Sequence, residues 1–233
     1  MESSTQNRAK KAIALHSFKE IKQNSHIGIG TGSTVFFLIE ELIKHEQHLS
    51  IKVAFSSSKS HDLLKNTSYG RINDSLDENI DLTIDGADYV SSDGTLIKGG
   101  GGALTREKIL IASSKKSIII IDESKFISKK TKVKLPIEIL PFGFESTVKK
   151  LKHIQLNGSI RKKESGQNYI TDNHNLIFDA EVEFPFMAPK ELHNSIKEIA
   201  GVVETGIFID FPIEVWIAFF DEKKAIQKLK FNS

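Results

Sequence analysis

The chain has 233 residues, 39% of them hydrophobic and 27% charged. That balance excludes wholesale disorder, and at roughly 150 residues per domain it makes one large domain or two modest ones. Thirty-two basic against thirty acidic side chains leave a net charge of +2, which gives no reason to invoke a nucleic-acid partner. The absence of cysteine excludes disulfide frameworks, thiolate metal sites and any Cys nucleophile or base.

The polar run from Met1 to Lys11 has no apolar core of a secretory signal. The most apolar runs, 117–121 and 215–220, are too short to span a bilayer. A cytoplasmic protein with no membrane partner is expected, and the lack of cysteine suits that compartment.

Ile13, Leu15, Phe18 and Ile21 are spaced for a helix over 9–21. A short strand follows at 27–30, then a helix over 34–43 with Val35, Phe36, Leu38, Ile39 and Leu42 apolar. Next come a strand at 51–55, a helix at 58–65 behind a serine N-cap, a strand at 80–84 and a helix at 104–112. The four isoleucines of 117–121 predict a strand buried on both faces. Strands alternating with helices predict an α/β domain with a parallel, Rossmann-like sheet covered on both sides.

After Lys129-Lys130-Thr131 the texture changes, with prolines at 136 and 141. A helix over 145–156, strands at 160–162 and 176–183, a helix at 189–199 and a strand at 202–205 predict a small α+β, ferredoxin-like domain. A strand at 214–219 and a helix at 223–229 then return to the first sheet. The expected division is a discontinuous main domain, 1–131 plus 206–233, around a small domain, 132–205.

Four segments carry chemistry. Gly28-Ile29-Gly30-Thr31-Gly32-Ser33-Thr34 runs from strand through a glycine turn into a helix. Glycines let an anion approach the backbone N–H groups, the helix N-terminus adds partial positive charge, and three hydroxyls add donors. The plain alternative is a capped strand–helix turn. No lysine follows Gly32, which excludes a P-loop. Ser33 replaces the third glycine of a dinucleotide fingerprint, and the second strand ends in Ala54-Phe55-Ser56 with no acid for a ribose. The turn suits a monophosphate.

Asp85-Gly86-Ala87-Asp88 puts two carboxylates at the end of a buried strand, where open α/β sheets bind ligands. They can bind sugar hydroxyls, move protons, bind a metal, or simply cap a turn. Lys98-Gly99-Gly100-Gly101-Gly102 keeps four consecutive glycines that are costly to order. It leads into a helix with Glu107 in its first turn, where an acid also favours the helix dipole. Lys125, just after the isoleucine strand, offers a second charge or a solvated side chain. The eight histidines form no metal-ligand spacing, so no metal is expected.

Together these segments closely resemble the signatures of ribose-5-phosphate isomerase A, in order and spacing. Leu135-Pro136-Ile137-Glu138, Thr171-Asp172-Asn173 and Gly201-Val202-Val203 resemble that family's second domain. The resemblance runs from about Lys10 to about Phe208. It implies reversible conversion of ribose 5-phosphate to ribulose 5-phosphate, without metal or organic cofactor, in a homodimer or homotetramer. By that resemblance Glu107 is the proton acceptor, working through an enediolate. Asp85 and Asp88 bind sugar hydroxyls and assist ring opening, and Lys98 stabilises the oxyanion. Thr31, Gly32, Ser33, Thr34 and Lys125 hold the substrate and its phosphate, with Lys10 a further phosphate candidate. Gly86, Ala87, Gly99, Gly100 and Gly101 complete the substrate contacts. Gly102 stands where the family often has alanine, a change expected to be harmless, and the tail from Ile209 is less typical. The rival readings are a non-catalytic sugar-phosphate sensor, which needs no base, and a nucleotide-dependent oxidoreductase.

Overall fold

The computed structural model describes residues 4–69 and 79–231, so the first three residues of the polar N-terminal run lie outside it. In chain order the elements are α1 (Ser4–Phe18), β1 (His26–Ile29), α2 (Ser33–Lys44), β2 (Lys52–Phe55), α3 (Ser58–Leu64), β3 (Leu82–Asp85), β4 (Tyr89–Ser91), β5 (Leu96–Ile97) and α4 (Leu104–Ala112). Then follow β6 (Ser117–Asp122), β7 (Phe126–Ile127), β8 (Thr131–Ile139), α5 (Phe144–His153), β9 (Gly158–Ile160), β10 (Leu176–Phe184), α6 (Pro189–Lys197), β11 (Val202–Thr205), β12 (Ile207–Phe208), β13 (Ile213–Ala218) and β14 (Gln227–Phe231). The chain forms two compact units: Met1–Ala87, Arg106–Phe126 and Asp210–Ser233 make the first, Asp88–Thr105 and Ile127–Ile209 the second.

The first unit is built on a six-stranded sheet in the order β14-β13-β6-β3-β1-β2. Every neighbouring pair is parallel except β13–β14. β6 lies between β3 and β13, and all six of its residues are buried. That explains its unbroken isoleucines: a strand covered on both faces has no polar side to alternate with. Ile118 and Ile120 join the large core with Ile27, Ile29 and Ile84, where Ile13 and Ala14 of α1 meet Val35, Leu38, Ile39 and Leu42 of α2. Ala54, Ile80 and Leu110 make a separate small cluster that seats α4.

From β1 the chain runs through α2 to β2 on one side, then returns to β3 on the other. This reversal is a topological switch point, and the crevice it opens lies beyond the carboxyl ends of β1 and β3. Gly30 to Thr34 and Asp85 stand at those two ends.

The second unit contains a four-stranded sheet in the order β11-β8-β10-β9, all antiparallel. With α5 between β8 and β9, and α6 between β10 and β11, it is the ferredoxin-like split βαβ arrangement. Pro136 sits inside β8. β11 pairs only with Ile137 to Ile139, so that ladder ends before the proline, and the Pro136 carbonyl instead accepts from the Gly206 amide at 2.7 Å. A separate four-stranded sheet has the order β12-β5-β4-β7, with β12–β5 and β5–β4 antiparallel.

Two expectations change. Residues 88–105, expected in the main domain, group with the second unit, because the β4–β5 hairpin pairs with β12. The helix expected over 223–229 is instead the edge strand β14. Leu229 and Phe231 are half-buried while Gln227, Lys228 and Lys230 are exposed, the period-two pattern of a strand facing water on one side. Its antiparallel pairing with β13 fixes it there.

Candidate active site

In the first unit, the turn after β1 is built around Asp85. Asp85 is fully buried at the end of β3, and its Oδ1 accepts the amides of Thr31 at 3.1 Å and Gly86 at 2.7 Å. One carboxylate oxygen thus fixes both the glycine turn and its own strand end. A Cβ on Gly30 would lie 1.8 Å from that oxygen, so only glycine permits the approach. Gly32 has φ of 128° and precedes α2, a left-handed step that favours glycine.

Hydroxyls complete the cradle. Thr31 Oγ1 lies 2.7 Å from Ser56 Oγ and donates to Ser57 Oγ at 2.8 Å. Ser57 caps α3 by accepting the Ser60 amide, and Ser60 Oγ donates to the Gly30 carbonyl at 2.7 Å. Ser56 and Ser57 therefore belong to the supporting shell of the turn. Ser57 is the serine cap expected before that helix, but no sequence signal ties Ser56 and Ser57 to Thr31. Lys10 is 1% exposed and donates from Nζ to Ser33 Oγ at 2.7 Å, which brings a cation to the start of α2. Thr34 is buried in the first turn of that helix. Lys125 is half-buried on the turn after β6, at the same carboxyl edge of the sheet. Glu107 lies in the first turn of α4 and is 3% exposed.

In the second unit, the loop 98–102 is held at nearly every peptide. The Lys98 amide donates to the Gly206 carbonyl at 3.0 Å. Its side chain is 2% exposed, with Nζ 5.5 Å from the centre of the Phe208 ring. Asp88 is half-buried, and its Oδ2 accepts the Gly100 amide at 2.7 Å. A Cβ on Gly100 would lie 2.4 Å from Asp88 Oδ1, and Gly99 takes φ of 100°. The structure thus brings Thr31 to Asp85, Ser33 to Lys10 and Gly100 to Asp88.

A second carboxylate cluster sits in the same unit. Glu138, fully buried in β8, accepts from Thr105 Oγ1 at 2.5 Å, Thr171 Oγ1 at 2.9 Å, Asn173 Nδ2 at 3.2 Å and Asn175 Nδ2 at 2.9 Å. This gives the Thr171-Asp172-Asn173 motif a physical reason: a buried acid needs its lone pairs filled. Thr105 stands two residues before Glu107, so the network anchors the start of α4. Gly102 takes φ of 83°, and a Cβ there would lie 2.5 Å from the Tyr169 ring, so an alanine would be strained in this chain. The substitution noted from the sequence is therefore matched to Tyr169.

Among the described residues, no group of three or more histidines or acids is placed to hold a metal, and no helix is long and apolar enough to cross a membrane.

A model of the family described as ribose 5-phosphate isomerase A (phosphoriboisomerase A) matches residues 52–222. A ribose-5-phosphate isomerase A from Bacillus cereus is 41% identical over 90% of this chain and 94% of its own. The solved ribose 5-phosphate isomerase A of Methanocaldococcus jannaschii superposes with a TM-score of 0.86 at 31% identity, covering 97% of this chain and 99% of that one. A further solved D-ribose-5-phosphate isomerase, in complex with phospho-erythronic acid, gives 0.84 at 31% identity over 96% and 98%. The glycine turn on Asp85, the glycine loop on Asp88 and the acid in the first turn of α4 thus stand in a chain that belongs to the ribose 5-phosphate isomerase A family.

Proposed function

We propose that the chain interconverts D-ribose 5-phosphate and D-ribulose 5-phosphate through an enediolate, with Glu107 as the base. The single observation that carries this reading is Glu107 itself, a buried carboxylate in the first turn of α4 directly after the glycine loop. A phosphate sensor has no use for such a group.

In the open-chain aldose, Glu107 takes the proton from C2. The electron pair moves through C1 and leaves negative charge on O1. A proton then passes from O2 to O1, and Glu107 returns its proton to C1, giving the ketose with atoms balanced. The barrier is the charge on oxygen, so a nearby cation matters as much as the base. Lys98 is assigned to that charge. Asp85 and Asp88 are assigned to the sugar hydroxyls, ring opening and the oxygen-to-oxygen transfer. Thr31, Gly32, Ser33 and Thr34 with Lys125 take the phosphate, and Lys10 adds charge through Ser33. Binding energy from the phosphate, remote from the reacting carbons, orients the substrate. Gly86, Ala87 and Gly99 to Gly101 line the remaining contacts. The phospho-erythronic acid in a related isomerase, itself a sugar-acid phosphate, supports this substrate class.

We further assign the chain to the cytoplasm, which its lack of cysteine suits, and to a homodimer or homotetramer. Phe142 and Met187, 93% and 92% exposed, support a partner surface.

The test is a coupled assay for ribulose 5-phosphate formed from ribose 5-phosphate with EDTA present. Turnover is expected. No turnover, with ribose 5-phosphate still raising the melting temperature, overturns the catalytic reading in favour of a sensor.

A further inference from the structure

Three consecutive carbonyls of the glycine loop are held by side chains from far along the chain. Arg161 Nη1 donates to the carbonyls of Gly99 at 3.0 Å and Gly100 at 2.9 Å, and Tyr169 OH donates to that of Gly101 at 2.9 Å. Two more of the guanidinium's five N–H donors are also placed. Nε donates to Asp179 Oδ2 at 2.8 Å and Nη2 to Asp179 Oδ1 at 2.5 Å. Arg161 and Asp179 are 16% and 9% exposed, so this is a shielded pair. It stands on a sheet: Asp179 lies in β10 opposite Ser159 of β9, and the Arg161 amide donates to the Ile177 carbonyl. The Arg161 guanidinium also lies 5.8 Å from the Tyr169 ring centre.

We propose that Arg161, oriented by Asp179, is a positioning residue for the isomerisation: it sets the peptide planes of the Lys98–Gly101 loop. This rests on the functional reading above. In a trans peptide the N–H points opposite the C=O. Holding the Gly99 and Gly100 carbonyls on Arg161 therefore fixes where the amides of Gly100 and Gly101 point. Four glycines have no side chains to hold such an arrangement, and their many alternative conformations oppose it. The planar fork of an arginine can grip a carboxylate on one edge and two carbonyls on the other. A lysine, as a point charge, cannot. The loop also carries Lys98, so its placement reaches the group assigned to the oxyanion.

The experiment compares Arg161→Ala and Arg161→Lys with the unmodified chain, reading isomerase kinetics, amide hydrogen exchange and rescue by guanidinium ion. In Arg161→Ala, kcat should fall about 10²-fold, the scale of an ångström of misplacement. Exchange should rise at Gly100 to Gly102 but not across β8 and β10. Millimolar guanidinium should restore part of kcat, while Arg161→Lys should not recover it. Wild-type kcat with unchanged loop exchange in Arg161→Ala overturns the proposal. So does exchange raised over the whole sheet with no rescue, which marks a purely structural residue. If Arg161→Ala does not fold, Asp179→Asn keeps the sheet, and normal kcat in that variant is equally fatal. If the unmodified chain itself shows no turnover, the functional reading fails while the exchange measurement still decides whether Arg161 orders the loop.

Discussion

The two glycine segments solve the same problem by opposite means. The turn at Gly30 to Thr34 is ordered by its immediate setting: the adjacent strand end supplies Asp85, the next helix cap supplies Ser57 and Ser60, and Gly30 makes the approach possible. The loop at Lys98 to Gly102 is ordered mostly from a distance, by Arg161, Tyr169, Asp179 and the Gly206 carbonyl. A turn at a parallel-sheet switch point inherits its geometry from the sheet. A glycine run outside regular structure has none to inherit, so other parts of the fold must supply it.

The largest expected effect lies just beyond the second loop. Glu107→Gln removes the proton acceptor and should lower kcat by about 10³–10⁴-fold with KM nearly unchanged. Turnover within tenfold of the parent in a steady-state assay sinks the assignment. Next come two alanines that set local against distant ordering. Gly30→Ala drives a methyl into Asp85 and should cost about 10²-fold in kcat/KM. Gly102→Ala strains a left-handed backbone and pushes on the half-buried Tyr169, away from the Asp85 turn, and should cost only several-fold. If the two lose activity equally, the contrast drawn between the segments is wrong. Lys125→Ala follows, with KM for ribose 5-phosphate raised about tenfold and kcat held. An unchanged KM takes Lys125 out of the phosphate site.

The smallest effect is far from both segments. The backbone hydrogen bond from His26, then the Lys115 ammonium, hold the Asp81 carboxyl below its usual value. A carboxyl lowered by folding adds stability above its unfolded pKa, and this is lost as pH falls through the folded value. Asp81→Asn should therefore lower the melting temperature slightly near pH 7 and leave it unchanged in strong acid. A deficit that persists in strong acid points to packing instead.

The same contrast explains what could be read from the sequence. The turn, Asp85 and the α4 acid were legible because strand, glycine and helix follow one another within a few residues. Arg161 and Tyr169 carry no local signal, since the glycine carbonyls they hold lie more than sixty residues away, and Asp179 acts only through Arg161. Ser56 and Ser57 read only as a strand end and a helix cap, because nothing nearby shows that Thr31 bonds both. The final strand was misread for a different reason. Lys223, Lys224 and Ala225 favour a helix, while the alternation begins only at Lys228. Its pairing with β13, not its composition, decides the outcome. Glu138, Thr171 and Asn173 stand in the family resemblance, and only the contacts show that one carboxylate also gathers Thr105 and Asn175.

Trp216 is the chain's one tryptophan, fully buried in β13, with the Lys228 ammonium 3.5 Å from its ring centre. Its fluorescence therefore reports on the parallel-sheet unit alone, with one ammonium carried over its ring by the neighbouring edge strand. Peeling β14 away takes that ammonium off the ring while Lys116 and His16 stay beside it, so a change in intensity without a red shift marks loss of the strand and a red shift marks opening of the core. The molecule carries its own optical probe for the order in which its last strand and its core come apart.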